Sequence, residues 1–281
     1  MHDSRARMWM WAGASSGLSR RMLAGVGRFA WGQWREVQYL AAVLGTTLFL
    51  GAQPRRWRRT VREAFKWQFF FFGVESVRFV FALAVLVGIS VVVQMSVWTG
   101  KLGQSQKLGP LLVVVVAREL GPLFANFVLI VRGGSVIATE LGIMKVGGEV
   151  RVIEAQGLDP LVFLVMPRVL ATALAAFCLT VIFIFVTFAS GYGFGWFFGQ
   201  ANVDPAAFTA SVFRAVHPSD AISLLAKCLV PALLTGVICC TEGLSVEGGV
   251  TQVPPAAKRA LTRSLFALYR TSVAVSLLAY S

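Results

Sequence analysis

The chain has 281 residues, 57% of them hydrophobic and only 14% charged, with 26 basic against 13 acidic residues and a formal net charge of +13. A soluble domain carries nearer a quarter charged residues, so this composition excludes a water-soluble globular enzyme and points to an integral membrane protein of one domain. The basic excess is read as the cytoplasmic charge bias of a membrane protein rather than as nucleic-acid affinity, because the basic residues cluster at the ends of apolar runs.

Residues 1–34 contain Arg5, Arg7, Arg20, Arg21 and Arg28 but no continuous apolar core before a cleavage site. They read as a basic, poorly ordered cytoplasmic tail and not as a secretory signal. Val37–Pro54 is apolar over 18 residues, a marginal length, with basic clusters on both sides: Arg28 and Arg35 before it, Arg55, Arg56, Arg58 and Arg59 after it. A crossing would leave one cluster outside, so the run is expected flat in the membrane interface. A sixth span is the alternative. Residues 60–79 read as a helix feeding the first span, with Phe69, Phe70, Phe71 and Phe72 as an interfacial aromatic cluster. Glu75 and Arg78, three apart, can pair on one face of it.

Five runs are long enough to cross a bilayer, which takes about 20 apolar residues. Phe79–Gly100 holds no charge; Leu108–Val131 holds only Arg118 and Glu119; Val169–Val203 holds none over 35 residues, enough for a span and a turn. Ala221–Thr241 contains only Lys227, and Ser264–Ser281 only Arg270. Five crossings put the N-terminus and the loops 132–168 and 242–263 inside, leaving the outer loops poor in basic residues. Gly191, Gly195 and Gly199, spaced by four, share one helix face and suit close helix packing. Between the second and third runs lies a short, polar, glycine-punctuated segment, as in transporter subunits that take force from a soluble motor. The expected fold is therefore all-α: five transmembrane helices, an N-terminal interfacial helix and a cytoplasmic coupling helix within Glu140–Glu154.

Charges at membrane depth are costly and are usually buried against a partner or a watery cavity. Arg118, Glu119 and Lys227 are therefore the first candidates for function, with Glu119 expected to face Lys227 across the bundle. Cys178, Cys228, Cys239 and Cys240 fall in apolar runs with no metal or disulfide spacing and read as small hydrophobes. His2 and His217 are isolated, so no metal site or catalytic triad is expected. The sequence contains no phosphate-cradling G-x-x-x-x-G-K-S/T loop.

From about Thr60 to Leu278 the chain resembles the MlaE/YrbE permeases, the membrane subunits of MCE-type ABC lipid transporters. The resemblance is carried by Arg118-Glu119-Leu120-Gly121-Pro122, Arg132-Gly133-Gly134-Ser135, Ala138-Thr139-Glu140-Leu141-Gly142-Ile143-Met144-Lys145, Glu154, Gly157-Leu158-Asp159-Pro160, Pro167-Arg168 and Glu247-Gly248-Gly249. It implies residues 35–281 as the permease domain and a homodimer in a bacterial inner membrane, N-terminus inside. The implied partners are a cytosolic ABC ATPase and a periplasmic MCE-domain protein. The implied cargo is phospholipid or a related lipid, with no cofactor.

Carried onto this sequence, the resemblance places Arg118, Glu119, Lys227 and Gln94 beside a lipid pocket, with Val97 and Leu120 as candidate apolar walls. It places Glu140, Met144, Lys145, Glu149 and Glu154 toward the ATPase. Val131 and Gly147-Gly148-Glu149-Val150-Arg151 depart from the family pattern, which alters the charge and stiffness of the coupling segment. A membrane scaffold, or a lipid-modifying membrane protein without transport activity, is the alternative function.

Overall fold

The computed structural model describes residues 35, 38–53, 59–101, 113–197 and 218–280. The chain divides into the units Met1–Gly45 and Thr46–Ser281; the second contains all the long helices. Every element among the described residues is helical. The apolar sequence makes this the expected outcome, because in lipid a helix satisfies its backbone groups within one segment.

The run at 37–54 contains a short apolar helix, α1 (Gln38–Gly51). At 1.5 Å per residue it is roughly 21 Å long, short of the ~30 Å hydrocarbon core. Gly51 at its end faces the side chain of Leu170, at the start of the third long run. α2 (Arg59–Lys101) is a single helix of 43 residues, far longer than one crossing. Its first half carries the aromatic cluster and every charge but Lys101. Trp67 stacks on Phe71 at 5.5 Å and Phe65 on Phe69 at 6.4 Å, the pairing that four-residue spacing gives on a helix.

The helix of the second run does not stop at Val131. Helix α3 runs through residues 113–146 as π-helical Val113–Leu120, α-helical Gly121–Leu129, π-helical Ile130–Gly134 and α-helical Ser135–Val146. Gly133 and Gly134 do not break it because both are buried against neighbouring side chains, Phe72 and Cys239 respectively. The chain turns instead at Gly147-Gly148, where Gly148 takes φ 80°, a conformation that costs other residues about 1 kcal/mol or more. A separate short helix, α4 (Glu149–Ala155), follows. The expected coupling helix over Glu140–Glu154 is thus two pieces: the end of α3 and all of α4. The Asp159 carboxylate accepts the Leu161 N–H at 2.9 Å and starts α5, which covers residues 161–197.

α6 (Pro218–Leu244) and α7 (Val253–Tyr280) complete the bundle. α2 lies along α5, and α6 packs against α5, α7 and the lower half of α3. Gly243 of α6 lets it approach α3: a Cβ there would stand 2.8 Å from the Ala138 carbonyl oxygen and 2.9 Å from Leu141 Cβ. Phe183, Leu179, Ile137, Leu141, Met166 and Leu268 fill the fully buried centre.

Among the described residues, four helices are long and apolar enough to cross a membrane: within α2, α3, α5 and α6. α7 has the length, at 28 residues, but carries Lys258, Arg259, Arg263 and Arg270. Of the predicted glycine stripe, Gly191 is buried, Gly195 lies in the same helix, and Gly199 lies outside the described residues.

Candidate functional site

Pro122 is the local cause of the site's geometry. In an α-helical register the carbonyl of Arg118 would receive the N–H of residue 122, which proline lacks. Pro231, inside α6, does the same to the carbonyl of Lys227. Each proline follows its charged residue by four. In α3 the region ahead of Pro122 is π-helical, a local irregularity frequent at functional sites.

Lys227 occupies this irregular point from the facing helix. Its ammonium donates to Glu119 Oε1 at 2.5 Å and to the Arg118 carbonyl at 3.1 Å. The Ser276 hydroxyl of α7 donates to the same Glu119 oxygen at 3.3 Å. Three helices therefore meet on one carboxylate. One turn beyond Pro122, buried Asn126 donates to the carbonyls of Pro122 at 2.9 Å and Cys228 at 3.3 Å, and Thr180 lies 3.2 Å from the Cys228 sulfur. The pair is asymmetric: the Lys227 side chain is 2% exposed and that of Glu119 40%. The ammonium is sealed in the bundle, and the carboxylate faces outward from it.

Arg118, Glu119 and Lys227 are thus brought together. Leu120 is half-buried in α3 and Gln94 is exposed on α2. Val97 belongs to α2, in a stretch where only the backbone is described. Sequence reading missed Ser276 and Asn126. Asn126 had a signal, being an amide in an otherwise apolar stretch of the second run. Ser276 had none.

A second tier of ion pairs ties the other ends of the helices. Arg132 of α3 binds Glu75 of α2 at 2.7 Å, so Glu75 reaches across the bundle to a neighbouring helix. Arg168 of α5, itself buried, binds Glu140 of α3 at 3.0 Å, and Gln68 of α2 reaches the same carboxylate at 3.5 Å. Glu242 of α6 is buried between Arg259, at 3.3 Å, and Arg263 of α7. Of the five candidate coupling residues, Glu140 is therefore engaged inside the bundle. Met144 and Lys145 are half-buried at the end of α3, and Glu149 and Glu154 are exposed on α4.

This is the architecture of a multi-pass helical membrane protein with a polar centre at depth and an exposed cross-piece at one end. A family model described as Permease MlaE matches residues 38–278. The chain is 26% identical over 251 residues to Protein TRIGALACTOSYLDIACYLGLYCEROL 1, chloroplastic, of Arabidopsis thaliana, covering 84% of this chain and 68% of that protein. It is 29% identical over 208 residues to a probable ABC transporter permease protein of Synechocystis sp., covering 74% and 78%. With a probable ABC transporter permease protein of Rickettsia prowazekii it shares 27% over 197 residues, covering 70% and 75%. The chain belongs to the MlaE permease family, and an ABC permease implies an ATPase partner.

Proposed function

We propose that the chain is the permease subunit of an ABC transporter that moves phospholipid or a related lipid between membranes, driven by a separate cytosolic ATPase. The observation that carries the reading is the Glu119–Lys227 pair, sealed on the lysine side and open on the glutamate side. A buried ion pair adds little net stability once desolvation is counted. A pair retained at membrane depth is better explained by a polar ligand that must be held there. Arg118 supplies positive charge for a lipid phosphate while the sealed Lys227 holds Glu119 in place; Gln94 supplies a polar contact, and Val97 and Leu120 apolar wall for the acyl chains.

In the same reading the subunit works as a homodimer in a bacterial inner membrane with its N-terminus inside. Met144, Lys145, Glu149 and Glu154 meet the ATPase; Glu140 holds α3 to α5 beneath the site, so that force on α4 reaches the bundle. A periplasmic MCE-domain protein receives or delivers the lipid. The exposed, mixed charge of α4 supports the coupling role, and the Arabidopsis relative's name, which contains a glycerolipid, supports the cargo class.

The test is ATP-dependent lipid movement after co-reconstitution of the chain with its ATPase. Glu119→Ala is expected to lower transport at least tenfold while the complex still assembles. Unchanged transport in Glu119→Ala with normal assembly removes the binding role of the pair; no ATP-dependent lipid movement by the unaltered, assembled complex removes the transport reading and leaves a scaffold.

A further inference from the structure

Arg132 follows Glu119 by 13 residues, roughly 20 Å of helix. There a second polar group sits at the outer surface of the bundle. The Arg132 guanidinium donates to Glu75 at 2.7 Å and lies 4.0 Å from the centroid of the Phe79 ring. The two side chains are 28% and 49% exposed. They line a groove of about 290 Å³ between α2 and α3, walled by Phe71, Phe72, Ser76 and Val131. That volume is close to the lower end of ordinary small-molecule sites, ~300 Å³.

The groove's position selects its occupant. The uncharged run of α2 begins at Phe79, directly after Arg78, so Glu75 and Arg132 stand where the hydrocarbon ends and headgroups begin. Phe79, Val131 and Val136, beside the groove, are exposed apolar side chains, a path for acyl chains. An ion pair this open is weakly held. The guanidinium has five N–H donors in a planar fork that fits a phosphate, and the Glu75 carboxylate beside it suits an ammonium.

We propose that this groove is a binding site for the headgroup of a zwitterionic aminophospholipid of the surrounding bilayer, phosphate on Arg132 and ammonium on Glu75. Both charges of the protein then meet opposite charges of one ligand. An anionic phospholipid with no ammonium leaves Glu75 facing negative charge and is disfavoured. The proposal rests on the lipid-transport reading only in taking membrane lipid as the ligand; it requires no transport.

The experiment is native mass spectrometry of the purified full chain with phosphatidylethanolamine or phosphatidylglycerol at equal concentration. The unaltered protein is expected to retain phosphatidylethanolamine at least fivefold better. Arg132→Gln should lower that retention at least fivefold, and Glu75→Gln should erase the preference between the two lipids. A photoreactive phosphatidylethanolamine on the unaltered protein should label residues 71–79 or 131–136, which decides the matter even where a variant fails to fold. Equal retention of both lipids, undiminished retention in Arg132→Gln, or label confined to other segments overturns the proposal. So does a copy-to-copy crosslink from Val136→Cys, which would make the groove a contact between two chains. Loss of this selectivity with transport intact removes the groove alone; no ATP-dependent lipid movement by the unaltered complex, with selectivity intact, removes the transport reading alone.

Discussion

Glu119 and Lys227 are unequal partners, and the inequality predicts unequal damage. Glu119→Ala takes away the carboxylate 2.5 Å from an ammonium that is 2% exposed. Breaking a buried pair from one side costs about 3–5 kcal/mol, because a charge is left in low dielectric. The open face of Glu119 places this case at the low end, about 3 kcal/mol. Lys227→Met keeps the unbranched stem in its apolar bed and removes the charge together with its hydrogen bond to the Arg118 carbonyl. The carboxylate it leaves is 40% exposed, can take up water, and keeps the Ser276 hydroxyl at 3.3 Å. That cost is about 1 kcal/mol. Removing both charges, as Glu119→Gln with Lys227→Met, returns stability close to the starting protein. At about 2 °C or more per kcal/mol for a chain of this size, Glu119→Ala loses roughly 6 °C and Lys227→Met roughly 2 °C. The assay is the temperature at which half the monodisperse protein is lost in detergent, an operational midpoint suited to irreversible unfolding. Equal losses for the two single variants, or a double variant that loses their sum, refutes the reasoning.

Two further outcomes follow from the same packing. Glu242 is buried but has two arginine partners, so Arg259→Gln and Arg263→Gln should each cost about 1 kcal/mol or less, while the double variant strands the carboxylate and costs about 3 kcal/mol; additive midpoint shifts would count against it. Gly243→Ala should cost about 1–3 kcal/mol, because its Cβ meets the Ala138 carbonyl oxygen and Leu141 Cβ on α3, whereas Gly73→Ala, in α2 with nothing within 4 Å of its Cβ, should be neutral or raise the midpoint slightly; the same heating assay compares them.

The all-helical architecture was legible because hydropathy is carried by each residue independently of its neighbours in space. So was the exceptional status of Arg118, Glu119 and Lys227: a charge inside an apolar run is costly in any bundle. The end of the second helix was misread. Arg132-Gly133-Gly134 looks like a stop signal in a linear reading, with a charge and two helix-weakening residues after an apolar run. In the bundle those glycines are contact surfaces for Phe72 and Cys239, and the helix continues to Val146. Local spacing suggested Glu75 with Arg78; the structure links Glu75 to Arg132, 57 residues away.

By itself the sequence determined that this chain is a bundle of apolar helices with ionic groups at depth, because burial cost and backbone satisfaction in lipid depend only on what each run contains. The Glu119–Lys227 pair was expected; only the tertiary structure decided the other meetings, Ser276 with Glu119, Arg168 with Glu140, and Glu242 with two arginines. Those pairings depend on which helix faces approach, and that is set by close contacts such as Gly243 against Ala138, which no periodicity along one helix records.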